Sequence, residues 1–94
     1  MILNPPELSQ KQHALMSVIL SYFIDHPDAK DTAEGVFQWW IPKGEVDYRY
    51  EDVIEALNEL VRRGWLTKRV PAQNIFGLNK ARTGEIQLFL RKEK

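Results

Sequence analysis

Residues 47–78 constrain this chain more than any other stretch: one amphipathic helix, a glycine stop, and two short apolar runs either side of a turn. Tyr50, Val53, Ile54, Leu57, Leu60 and Val61 recur at three- and four-residue intervals, which is one apolar face of a helix. Asp47 is placed to cap it, so a helix is expected over residues 48–63. Burying its five aliphatic members contributes a gross of about 7 to 15 kcal/mol, at about 1.5 to 3 each, before chain entropy is set against it. That makes it the central helix. Arg62 and Arg63 fall in its last turn, where cations suit the helix dipole, and Gly64 supplies the left-handed conformation that ends a helix. Residues 65–70 and 75–78 then read as a hairpin that turns over residues 71–74, starting at Pro71.

The rest of the chain has to cover that helix. Ninety-four residues, 44% of them apolar and 11% aromatic, suit one small domain spanning 1–94 and do not suit intrinsic disorder. The absence of cysteine rules out a disulfide framework and a thiolate metal site, and a reducing, cytoplasmic setting is the matching expectation. The apolar run 14–24 is broken by Ser17 and Ser21, lacks a basic flank and is too short to span a bilayer. No signal peptide, membrane anchor or membrane partner is therefore expected.

A first helix is expected over about 6–25. Asn4 and Glu7 have capping spacing around Pro5, and Ser9 with Gln12 offers a second start. Leu8, Leu15, Val18, Ile19, Tyr22 and Phe23 form its apolar face, and Pro27 ends it after a helical run. A polar connector, 26–30, leads to Asp31 and Glu34, which have capping-box spacing for a helix over 32–41. Ala33, Val36, Phe37 and Trp40 share its inner face. Trp39 is turned about 100° from Trp40, toward the rim, although burial against the tail also fits it. Beyond the hairpin, residues 80–91 read either as a helix capped by Asn79, with Ile86, Phe89 and Leu90 inward, or as a strand alternating Ile86, Leu88 and Leu90. The helix is preferred, because Asn79 is a good cap and the tail is rich in helix formers.

The net charge of zero hides a polarity. Residues 1–60 carry four basic and eleven acidic side chains, net −7, whereas residues 61–94 carry nine basic and two acidic, net +7. Either the two halves pair internally, or the hairpin and tail present a basic face.

Residues 53–66, reading VIEALNELVRRGWL, and the strand end Phe76, Gly77, Leu78, Asn79 resemble the winged helix-turn-helix superfamily over about residues 8–79. The implied class is mainly α (α+β): a three-helix core, a two-stranded wing hairpin and a C-terminal helix. The resemblance implies that the second and third helices form the helix-turn-helix and that residues 71–74 are the wing tip. A terminal helix on such a core is often used for dimer contact. The loop 41–46 departs from the pattern, being longer than the tight turn of a typical DNA reader.

Members of that superfamily most often place the third helix in the major groove. Here its outward residues are Glu51, Asp52, Glu55, Asn58, Glu59, Arg62 and Arg63, and Glu51, Glu55 and Glu59 make an acidic ridge that phosphate would repel. The wing offers another route. Arg62, Arg63, Lys68, Arg69, Lys80 and Arg82 form a basic surface for phosphate or an acidic partner, with Gln73 and Asn74 able to reach base edges. The opposing reading pairs these cations with Glu55, Glu59 and Glu85. His13 alone, or His26 between Asp25 and Asp28, makes no converging catalytic or metal site, and Gly77 and Gly84 form no phosphate loop. No catalytic residue, cofactor, metal or small-molecule substrate is expected. The expectation is a non-catalytic module for protein contact or self-association, through Trp39, Glu51, Glu55, Glu59 and Leu88. The alternative is a DNA-binding transcriptional regulator that uses its basic wing.

Overall fold

The computed structural model describes residues 10–41, 48–69 and 75–92. Helix α1 (Gln10–Asp25) buries Leu15, Met16, Ile19, Leu20 and Phe23 together with Gln12, while Val18 and Tyr22 are half-buried. The buried face is thus turned toward Met16 and Leu20 from the face the spacing suggests. It is turned because α1 meets α3 (Tyr50–Arg62), α4 (Thr83–Lys92) and the sheet at once, and Tyr22 serves a flank instead. The expected capping by Asn4 and Glu7, and Leu8, lie outside the described residues.

The connector expected after α1 is partly strand. Lys30–Thr32 forms β1, and this displaces the expected start of the second helix by one residue. Thr32, extended at φ −82° and ψ 168°, is the cap, its Oγ1 accepting from Gly35 N at 3.2 Å. Asp31 is spent on its neighbour instead, its Oδ1 accepting from Thr32 N at 2.7 Å. Helix α2 runs over Ala33–Gly35 and continues as wider π-helical turns over Val36–Trp40, an uncommon winding in a run of this length. Val36 and Ile41 are buried there, and Trp40 stacks on Tyr22 at 4.0 Å and meets Phe23 edge-on at 4.6 Å.

Helix α3 begins at Tyr50 and buries Val53, Ala56, Leu57 and Leu60. Three members of the expected stripe are not fully buried: Ile54 and Val61 are half-buried and Tyr50 is exposed, while Ala56, outside the expected stripe, is buried. Tyr50 remains 37% exposed at the rim, its ring edge on Phe37, and Ala56 takes the place that close packing reserves for a small side chain. The expected Asp47 cap is outside the described residues; within them, Asp52 Oδ2 accepts from Arg49 N at 2.9 Å.

Leu66–Arg69 (β2) and Ile75–Leu78 (β3) pair antiparallel as expected, but the sheet is not two-stranded: β1 adds to the free side of β3, in the order β1-β3-β2. The rows across the sheet are Asp31, Phe76, Lys68; Lys30, Gly77, Thr67; and Thr32, Ile75, Arg69. Cross-strand neighbours share a face. Leu66 and Phe76 therefore lie inward, and Lys30, Thr67 and Arg69 outward. After β3, a 3₁₀ turn (Lys80–Arg82) leads into α4, so the tail is helical; Ile86 is fully buried and Leu88 is 55% exposed.

One corner joins these parts. Gly64 ends α3 at φ 83°, and Trp65 N donates back to Leu60 O at 3.0 Å, the six-residue closure of a Schellman motif. Asn79 then clamps the corner: its Nδ2 donates to Gly64 O at 2.7 Å, its backbone N to Trp65 O at 2.9 Å, and its Oδ1 accepts from Ala81 N at 3.2 Å. A β-carbon on Gly64 would stand 2.7 Å from an Arg82 guanidinium nitrogen. Gly64→Ala should therefore lose about 1–2 kcal/mol of unfolding free energy in a urea titration, from the left-handed backbone, in addition to displacing Arg82.

Candidate functional site

The core stripe of α3 fixes what its other side shows to solvent. Glu51 and Glu55 point outward with Asn58, all exposed, but the expected ridge does not continue to Glu59. Glu59 keeps only 14% of its side-chain surface, because Arg62 and Arg63 both close on it, Arg63 Nε at 2.9 Å from Oε2. Asp52 is drawn to the other flank, where Arg49 N and Lys11 Nζ at 3.3 Å hold it. Glu51 has only a 3.7 Å contact with Arg49, both largely in solvent, and Glu55 makes no ion pair among the described residues.

The six cations expected to form a basic surface separate into two sets. Arg62 and Arg63 serve Glu59, and Arg63 also lies over the rings of Trp65 at 5.3 Å and Phe89 at 5.8 Å. Lys80 is paired with Asp28, across 52 residues of chain. Arg82 forks onto Glu85, at 2.7 and 2.9 Å. Lys68 and Arg69 on β2 are exposed and make no ion pair among the described residues, although Lys68 Nζ lies 5.9 Å from the Phe76 ring centre. Gln73 and Asn74 lie outside the described residues. Lys30 joins Arg69 on the outer sheet face, a placement no sequence signal offered, because a three-residue strand of polar residues has no readable period.

Trp39 is 79% exposed, far from the burial that suits so large an apolar ring. Leu88 is outward on α4, one turn after Gly84, whose surroundings are open. Trp39, Glu51, Glu55 and Leu88 are thus at the surface, while Glu59 is not available to a partner without releasing two arginines.

The residues weighed for catalysis are not brought together. His26 lies against the Tyr22 ring at 4.5 Å, His13 is beside Phe89 at 6.1 Å, and Asp28 faces Lys80. Among the described residues no group of three or more histidines or carboxylates is arranged to hold a metal ion, and no helix is long and apolar enough to cross a membrane. No protein-family model matches this chain, and no curated protein or solved structure matches it significantly.

Three carboxylates are held below the ordinary range: Glu85 by hydrogen bonds from Arg82 and then from the Trp65 indole N–H at 3.1 Å, Asp28 by Lys80, and Asp52 by the Arg49 amide and then Lys11. Because their folded values are depressed, the stabilisation is present above the ordinary carboxylate range and is lost as pH falls through the folded values, below about pH 4. Glu85 and Asp28 both fasten the segment 80–92. The indole N–H resonance of Trp65 should therefore shift on acidification through that window, and the shift should be absent in Glu85→Gln.

Proposed function

We propose that this chain is a winged-helix module that acts by contact with another protein, through the outward face of α3 and the exposed Trp39. The scaffold reading is supported by the element order α1, β1, α2, α3, β2, β3 and by the sheet order β1-β3-β2, in which β1 supplies the third strand of the wing sheet. The contact reading is carried by the charge on α3. The face that would approach a major groove presents Glu51 and Glu55, and the cations at its two ends are engaged, Arg49 beside Glu51 at 3.7 Å and Arg62 and Arg63 on Glu59. Duplex DNA draws proteins chiefly through cations that replace its counterions, so this face lacks the main source of affinity. A large exposed indole is, in contrast, the residue type that anchors protein interfaces.

A DNA-binding reading retains one specific support, Lys68 and Arg69 on β2, which make no ion pair among the described residues, with Lys30 on the same outer sheet face as Arg69. Titration of the protein against random-sequence duplex DNA at low salt separates the two. The expected result is no binding at micromolar protein. Binding with a steep salt slope that disappears in Lys68→Glu/Arg69→Glu would overturn the protein-contact reading in favour of a wing-mediated DNA binder.

A further inference from the structure

We infer that β2 is a docking edge for an extended acidic segment of another protein, which adds a strand beside residues 67–69 and sets one carboxylate against Lys68 and the next against Arg69. This contact surface is additional to α3 and Trp39 and does not depend on them.

The backbone supplies the first reason. In the order β1-β3-β2, β2 is a terminal strand, and no described strand pairs with its other side. Asn79 N donates to Trp65 O at 2.9 Å, one step beyond the Leu66–Leu78 pair. Bonded and non-bonded pairs alternate along an antiparallel ladder, so Thr67 and Arg69 direct their N–H and C=O groups to β3, while Leu66 and Lys68 direct theirs away from it. Leu66 is 2% exposed, so it is the exposed Lys68 that offers a partner a backbone donor and acceptor. The edge of β1 differs: it is three residues long, Asp31 Oδ1 takes the Thr32 amide, and the strand runs directly into α2.

The charges supply the second reason. Lys68 lies in the row of Phe76 and Arg69 in the row of Ile75, so the two cations are on opposite faces of the sheet. A single anionic surface laid on one face does not meet both. A strand alongside β2 does, because its successive side chains alternate between the same two faces and directly opposite residues share a face. Neither cation makes an ion pair among the described residues. Other exposed charges in that position, Asp25, Glu34 and Arg91, lie on helices, which have no strand edge. A second copy offering its own β2 is disfavoured, since like charges would then face each other along the seam. The cations that guard the edge against a like strand admit an acidic one. In antiparallel register that segment carries, from its N-terminal side, an acid opposite Arg69, an acid opposite Lys68 and a residue of strand-forming type opposite Thr67.

Titration of the ¹⁵N-labelled protein at low salt with millimolar acetyl-Val-Glu-Glu-Thr-Val-amide tests this through backbone amide shifts. The Lys68 amide should move downfield and saturate. The same peptide methylated on the nitrogen of its second Glu, which lacks the N–H that faces Lys68 O, should give no saturating shift. The isomer acetyl-Val-Glu-Thr-Glu-Val-amide, equal in charge but with both carboxylates on one face, should bind about threefold more weakly. Lys68→Glu/Arg69→Glu should lose the acidic peptide and take acetyl-Val-Lys-Lys-Thr-Val-amide instead, with circular dichroism verifying its fold. No shift at Lys68 in the wild type overturns the inference while leaving the α3 contact in place. Equal binding of the two isomers, indifference to N-methylation, or retention of the acidic peptide by the double variant also overturns it. So does random-sequence duplex DNA that moves the Lys68 and Arg69 amides where the peptide does not, which assigns the strand to nucleic acid.

Discussion

The packing of α3 against α1 is the contact on which the other elements depend. Val53, Ala56, Leu57 and Leu60 meet the fully buried Leu15, Met16, Ile19, Leu20 and Phe23, and together with Val36, Phe76 and Ile86 these make one continuous apolar cluster. A helix that commits one face to such a cluster has no choice about the other. Glu51, Glu55 and Asn58 are in solvent because Val53, Leu57 and Leu60 cannot be. The outward surface of α3 is therefore a consequence of core packing, and it is acidic at Glu51 and Glu55.

The second organising feature is the use made of the positive charge in the last third of the chain. Around the Gly64 corner, Arg63, Trp65, Arg82, Glu85 and Phe89 interlock, and Asn79 closes the backbone beneath them. Exposed ion pairs contribute little stability one at a time, but they settle which cations remain free for an outside ligand. Four of the six expected ones are taken, and the balance moves to Lys68 and Arg69 on β2. A formal charge of +7 over residues 61–94 therefore overstates the basic surface that an anionic partner would find.

Much of this was legible in the sequence, for identifiable reasons. The stripe of α3, the stop at Gly64, the β2–β3 hairpin and the Asn79 cap follow from periodicity, left-handed backbone and capping chemistry, which are local. Periodicity turned Trp39 toward the rim while leaving its burial against the tail open, and set Leu88 off the stripe of α4; both are exposed. What escaped was non-local. Lys30–Thr32 has neither alternation nor apolar residues, and it is a strand only because β3 offers it an unpaired edge. That pairing in turn shifted the cap of α2 from Asp31 to Thr32. The pairing that covers Glu59 was one of two readings its spacing to Arg62 and Arg63 allowed, and the spacing alone could not choose it over free cations; Tyr50 was assigned to the core by spacing although the helix end carries it past the rim.

The sheet order is therefore the part of the architecture that sequence reasoning did not supply and on which the winged-helix reading rests. Cross-strand backbone nuclear Overhauser effects in a ¹⁵N-labelled sample measure it directly. Contacts linking Lys30, Asp31 and Thr32 to Gly77, Phe76 and Ile75, in addition to those between β2 and β3, are the expected result. Contacts between β2 and β3 alone, with residues 30–32 showing none to β3, would reduce the sheet to a hairpin and contradict it.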